Sequence, residues 1–111
     1  MTTLSTHVLD TTHGAPAAQL EVDLEQDGAP LFRGRTDADG RCPGLRALTL
    51  GPGRYRLVFA VADHFRRSGV KLSEPPFLDR VVIDFGIAEG AGHYHVPLLV
   101  SPFAYSTYRG S

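Results

Sequence analysis

The chain has 111 residues, a formal net charge of -1, and 42% hydrophobic against 21% charged residues. This length fits a single domain over residues 1–111, without room for a second core, and so small a domain would gain stability from self-association. The charge excludes the basic surface that nucleic acids and anionic membranes require, and no apolar run is long enough to cross a bilayer.

Glycine and proline, at 12 and 8 residues, divide the chain into segments of strand length. In chain order the predicted strands are 4–9, 20–25, 31–35, 45–50, 54–61, 80–85, 93–100 and 103–108. The second, fifth and sixth of these show regular alternation of apolar and polar residues, as in a strand with one buried face. About eight strands in one small domain indicate an all-β fold of two packed sheets, a β-sandwich.

Residues 61–67 interrupt the strand pattern, and we predict one short helix there, ended by Gly69. Residues 72–77 contain two prolines and are expected to form an extended linker. Residues 37–40 are predicted to form a turn.

Cys42 is the only cysteine, so an intrachain disulfide is excluded and a reducing compartment is favoured. It follows Arg41, a cation that could activate a thiol, but we expect an inert, small hydrophobic residue. The first residues do not resemble a signal peptide, and the chain end does not match a peroxisomal signal. We therefore expect a cytoplasmic protein.

The five histidines occupy unequal positions. His93 and His95 are two residues apart in a predicted strand, so both imidazoles project from the same face. His7 lies in the first predicted strand, where it is either a satisfied core or edge residue or part of a site. His13 and His64 are predicted to be solvated surface residues. Three histidines could hold zinc, but their spacings match no ligand motif, and we expect neither a metal nor a cofactor.

The last residues, Tyr108, Arg109, Gly110 and Ser111, follow a strand-like segment almost to the chain end. Chain termini normally fray, which favours a disordered tail. The alternative is a tail folded over a pocket, where the tyrosine, arginine, hydroxyl and carboxylate would offer directed hydrogen bonds.

Four motifs resemble one known family, the 5-hydroxyisourate hydrolases, also called transthyretin-like proteins. They are LSTHVLD at 4–10, TDADGRCP at 36–43, HYHVPLLVSP at 93–102 and YRGS at 108–111. The similarity spans nearly the whole chain. The terminal YRGS is the signature that separates these enzymes from the hormone-carrying transthyretins.

The resemblance implies a transthyretin-like β-sandwich that forms a homotetramer, a dimer of dimers with active sites where dimers meet. The implied reaction is hydrolysis of 5-hydroxyisourate to 2-oxo-4-hydroxy-4-carboxy-5-ureidoimidazoline in urate catabolism. The family's catalytic residues map onto His7, Arg41, His95 and Ser111. Tyr108, Arg109 and Gly110 are expected to shape the substrate pocket.

The histidines would position and deprotonate a water, Arg41 would neutralise developing charge, and Ser111 would hold the network. The sequence leaves open which histidine is the base. His64 departs from the aromatic residue common in the family, and we interpret it as variation on the helix surface. Two other functions remain: a carrier that binds an aromatic ligand in a central channel, and an immunoglobulin-like structural module.

Overall fold

The computed structural model describes residues 1–110, in which ten strands and two short helices follow one another. In chain order they are β1 Thr3–Ser5, β2 Val8–Asp10, β3 Ala15–Pro16, β4 Glu21–Gln26, β5 Ala29–Arg35, α1 Pro43–Arg46, β6 Gly53–Phe59, α2 Val61–Arg67, β7 Val81–Ile87, β8 His93–His95, β9 Leu98–Val100 and β10 Tyr105–Thr107. Within this part of the chain neither helix has the length and apolar character needed to span a membrane.

Two four-stranded sheets form the body of the fold. One has the order β10-β9-β2-β3 and the other β5-β4-β6-β7, while β1 and β8 form a separate parallel pair. The predicted all-β sandwich with a helix over residues 61–67 is confirmed, and Gly69 ends that helix in a left-handed conformation with φ of 85°.

The core lies between the sheets and is filled by the apolar faces that alternation predicts. In β4, Val22 and Leu24 are fully buried while the residues between them remain partly exposed. In β6, Leu57 and Phe59 are likewise buried, and Phe65 of α2 packs in the same cluster. Burial of such side chains is worth about 1.5–3 kcal/mol each.

The strand predicted over 45–50 is wrong. Proline at position 43 favours the first turn of a helix, and α1 forms there instead, with Leu45 buried. Leu50 makes only an isolated bridge to Thr2.

Two predicted strands, 4–9 and 93–100, are each divided into two. The first becomes β1 and β2 and the second β8 and β9, because the chain passes from the short parallel pair into the larger sheet in both places. Pro97 lacks a backbone N–H and lies at the second crossing. The strand β3 was not predicted at all.

Candidate active site

The parallel pairing of β1 with β8 aligns two hydroxyl residues with two histidines. Thr3 is opposite His93 and Ser5 is opposite His95 in the register. Because side chains alternate along a strand, all four project from the same face of the pair.

A chain of hydrogen bonds joins these four side chains. Thr3 Oγ1 lies 2.6 Å from His93 Nδ1, and Ser5 Oγ lies 2.9 Å from His93 Nε2. Ser5 Oγ also lies 2.8 Å from His95 Nδ1. The hydroxyl of Ser5 therefore connects the two imidazoles.

The turn before Arg41 brings that residue beside His7. Asp37 Oδ1 accepts hydrogen bonds from the backbone N–H groups of Asp39 at 2.9 Å and Arg41 at 3.0 Å. Gly40 has φ of +77°, and a Cβ there would lie 2.5 Å from the Val8 carbonyl oxygen. Glycine is required at this position because the turn approaches β2 so closely.

His7 is fixed by the same turn. It forms an isolated antiparallel bridge with Arg41, and its Nε2 donates to the Asp39 carbonyl oxygen at 2.8 Å. A carbonyl oxygen can only accept, so Nε2 carries the hydrogen and Nδ1 of the neutral ring is the acceptor.

The surroundings of His95 are electropositive. Burial lowers the pKa of His95, and the charges of Arg41, His7, His93 and Arg46 lower it further. His7 and Arg41 are thus close enough to His95 for their charges to act on its ring. A neutral imidazole beside cations suits proton transfer to and from a substrate that develops negative charge.

The C-terminal segment lies against His95. The Gly110 N–H donates to the His95 carbonyl oxygen at 2.7 Å, and a Cβ on Gly110 would lie 2.8 Å from His95 Cδ2. Arg109 Cζ lies 4.0 Å from the centre of the Tyr94 ring, a cation–π contact that anchors the segment. Tyr108 is exposed. The prediction for Ser111 falls outside the described residues.

Sequence reasoning did not find the hydroxyls of Thr3 and Ser5, and it considered His93 only as a metal ligand. Alternation does place Thr3, Ser5 and His7 on one face of the first strand. The partner strand and its register depend on a contact between residues 88–90 positions apart, which one sequence does not reveal.

The prediction that His64 is a surface residue is wrong. His64 is only 8% exposed, and its Nε2 lies 2.8 Å from Oδ2 of the buried Asp10. His13, which is exposed, places Nδ1 2.6 Å from the same oxygen. These histidines form a second cluster that links β2 to α2. Among residues 1–110, no group of three or more His, Cys, Asp or Glu side chains could hold a metal ion.

A groove of residues 1–110 lies elsewhere, across β4, β6 and β7. Its charged side chains pair with one another, since Arg56 Nε lies 2.7 Å from Asp84 Oδ1. The cluster of His7, His93, His95 and Arg41 is the better candidate for chemistry, because the charges that act on His95 include these cations and no neutralising carboxylate.

A family model, curated relatives and solved structures all indicate the same family for this chain. Residues 4–110 match the model of the HIUase/Transthyretin family. A 5-hydroxyisourate hydrolase of Caulobacter vibrioides is 52% identical, with 100% of both chains covered. The solved structure of Klebsiella pneumoniae 5-hydroxyisourate hydrolase is 40% identical, with a TM-score of 0.87 and 100% of both chains covered. Sea bream transthyretin in complex with thyroxine is 29% identical, with a TM-score of 0.83 over 96% of this chain and 93% of that one. This chain belongs to the HIUase/Transthyretin family.

Proposed function

We propose that this chain is an enzyme that hydrolyses 5-hydroxyisourate to 2-oxo-4-hydroxy-4-carboxy-5-ureidoimidazoline in urate catabolism. The observation that carries the proposal is the meeting of His7, Arg41 and His95 beside the C-terminal segment. The names of the bacterial relatives support the same reaction.

The reaction adds water across a ring amide. The water oxygen bonds to the ring carbonyl carbon, the carbon–nitrogen bond breaks, and a proton moves to the leaving nitrogen. Three tasks follow: removing a proton from water, stabilising the oxyanion, and returning the proton. Histidines suit the first and third, and a guanidinium suits the second.

The proposed catalytic residues are His7, Arg41, His95 and Ser111. His7 and His95 position and deprotonate the water, and Arg41 stabilises charge on the substrate or the tetrahedral intermediate. Ser111 holds the network, while Gly110 keeps the chain end against His95. The close approach of Gly110 to the His95 ring supports this role of Gly110, since a larger residue would collide with that ring.

The pocket assignment for Tyr108 and Arg109 remains part of the proposal. The stacking of Arg109 on Tyr94 supports a role in holding the chain end in place. Tyr108 is 60% exposed, as expected for a residue that contacts substrate or a second copy of the chain.

We also propose a homotetramer of single-domain subunits, a dimer of dimers, in the cytoplasm. Each large sheet has two edge strands, β10 and β3 in one and β5 and β7 in the other, and an edge strand can pair with a second copy. Phe103 and Tyr105 are exposed beside or on β10, an apolar surface suited to burial between subunits. The cytoplasmic location rests on the single cysteine, which is buried and unpaired.

A carrier of aromatic ligands would have the same fold, as the similarity to sea bream transthyretin indicates. The polar site favours the enzyme, because a carrier has no need of two imidazoles and a guanidinium in one electropositive cluster. The pairing of Gly110 with His95 also favours an enzyme over a purely structural module, which would tolerate a frayed end.

The decisive experiment follows the ultraviolet absorbance of freshly made 5-hydroxyisourate with and without protein. His7→Ala, Arg41→Ala and His95→Ala should each lower kcat/KM by about 100-fold or more, as expected for lost acid–base or oxyanion contacts. Removal of residues 108–111 should have a similar effect.

His13→Ala and Arg80→Ala are the matched controls, since both residues are exposed and neither is among the charges that act on His95. They should retain wild-type turnover. Absence of catalysis by the wild-type protein would refute the function, and full activity of any site variant would refute that residue's role.

A further inference from the structure

The hydrogen-bonded chain across β1 and β8 engages the two histidines differently. Both ring nitrogens of His93 contact hydroxyls, one of Thr3 and one of Ser5. His95 contacts Ser5 through Nδ1, whereas its Nε2 makes no hydrogen bond to residues 1–110. His93 is therefore a connector, and His95 Nε2 is the nitrogen that remains for substrate or water.

Three arrangements of hydrogens satisfy all three contacts of this chain, since each hydroxyl and each neutral imidazole has one hydrogen to donate and a hydroxyl oxygen can accept twice. In the first, His95 Nδ1–H donates to Ser5, Ser5 donates to His93 Nε2, and His93 Nδ1–H donates to Thr3. His95 Nε2 then has a free lone pair. In the second, all donors are reversed and His95 Nε2 carries the hydrogen. In the third, both rings donate to Ser5 and Thr3 donates to His93 Nδ1, so His95 Nε2 again has a free lone pair.

The far end of the chain favours the first arrangement. There the Thr3 hydroxyl is free to donate, and the Gly92 carbonyl oxygen, which can only accept, lies 3.5 Å from Thr3 Oγ1. In the second and third arrangements the Thr3 hydrogen points to His93 instead. The hydrogen of His95 is on Nδ1 in the first and third arrangements. All three need a neutral His95, and burial together with the neighbouring cations favours that form by lowering its pKa.

We propose that Ser5 and His93 are positioning residues that hold the hydrogen of His95 on Nδ1, so that Nε2 takes the proton from the attacking water. The proton then returns from Nε2 to the leaving ring nitrogen, so the enzyme ends as it began. Only this catalytic step rests on the proposed function, because the tautomer of His95 exists without substrate.

The first test is nitrogen-15 NMR of the imidazole rings in the full chain, at a pH where His95 is neutral. Wild-type protein should show a protonated Nδ1 and a bare Nε2 at His95. In Ser5→Ala the hydrogen should shift toward Nε2, because Nδ1–H has lost its acceptor. A hydrogen on Nε2 in the wild type, or an unchanged pattern in Ser5→Ala, would overturn the proposal.

The second test is kinetic. Ser5→Ala should lower kcat by about tenfold or more, the usual effect of losing a residue that orients a functional histidine, with KM nearly unchanged. Ser5→Thr keeps the hydroxyl and should restore most of the rate. His93→Phe should cause the same loss, and the double variant should lose no more than either single one.

Ser73→Ala is the control, because among residues 1–110 the Ser73 hydroxyl bonds only to the Pro75 carbonyl oxygen, within the linker. A purely structural role for Ser5 would lower the thermal midpoint without changing kcat or the tautomer, and would overturn the proposal. If wild-type protein leaves 5-hydroxyisourate intact, the proposed function fails while the NMR result still decides the tautomer.

Discussion

At His95, burial and several neighbouring positive groups act on one imidazole in the same direction. The lowered pKa keeps the ring neutral at pH values where an ordinary histidine is half protonated. A neutral ring can accept a proton, so the surroundings that bind developing negative charge also keep the base in its working form. One set of cations therefore serves two purposes.

Arg46→Gln tests this electrostatic effect without changing a proposed catalytic residue. The acidic limb of kcat/KM should lie below 6.5 in the wild type, because the pKa of His95 is lowered from that value. Removing the Arg46 charge should move the limb to higher pH, since one of the cations that oppose protonation is lost. Profiles of kcat/KM against pH at low salt measure both.

Arg80→Gln is the control, because it removes an exposed arginine that is not among the charges acting on His95. The acidic limb of its kcat/KM profile should coincide with that of the wild type. A wild-type limb at or above 6.5 would contradict the assignment of His95 as the base.

The candidate site residues His7, Arg41 and His95 come from the resemblance to the family, and their assignment remains a prediction. The structure adds a backbone bridge between His7 and Arg41 and the effect of both charges on His95. The burial of His64 could not be predicted, because it depends on Asp10, a residue 54 positions away in the chain. Short-range patterns carry no information about such a partner.

At the scale of elements, the Asp10 cluster joins β2 to α2. Burial by itself would raise the pKa of Asp10, but hydrogen bonds from His64 and His13 outweigh it and hold the pKa below the ordinary carboxyl value. A buried carboxylate with these donors is stabilising, whereas removal of a donor leaves a charge without compensation.

His64→Phe should lower the free energy of unfolding by about 1–3 kcal/mol, as expected when a buried charged acceptor loses its donor. Because the pKa of Asp10 is lowered on folding, this contribution is complete above the unfolded value of 3.8 and is lost as pH falls below it. The difference between variant and wild type should therefore narrow at acid pH. Urea unfolding at several pH values measures it.

His13→Ala provides the comparison, since His13 is much more exposed than His64 and should contribute less. Equal losses in the two variants, or a His64→Phe protein as stable as wild type, would contradict this account. Turnover per folded molecule should stay unchanged in both.

The elements themselves were predictable where alternation is regular. Regular alternation of apolar and polar residues coincides with the strands β4, β6 and β7. Its interruption coincides with the helix α2. The division of 4–9 into β1 and β2 was not predictable, because both halves alternate without interruption while pairing with different strands. The helix α1 is only four residues long, too short for a periodic signal.

At the scale of the whole molecule, exposed aromatic side chains beside a sheet edge favour self-association. The edge strand β10 carries Tyr105, which is 46% exposed, and the turn before it carries Phe103, which is 73% exposed. Two exposed aromatic side chains next to an unpaired strand edge are unfavourable in a monomer and favourable at an interface. A subunit of this size also gains stability from association.

Phe103→Glu and Tyr105→Glu should therefore lower the sedimentation coefficient from that of a tetramer, because a carboxylate at the subunit contact would be desolvated. Phe77→Glu is the control for the contact through β10: Phe77 is 71% exposed but lies in the linker, outside β10 and the turn before it, and should leave that contact intact. If active sites form where dimers meet, the dissociated variants should also lose turnover, with activity rising as protein concentration increases. A wild-type monomer, or fully active dissociated variants, would show that each subunit carries a complete site.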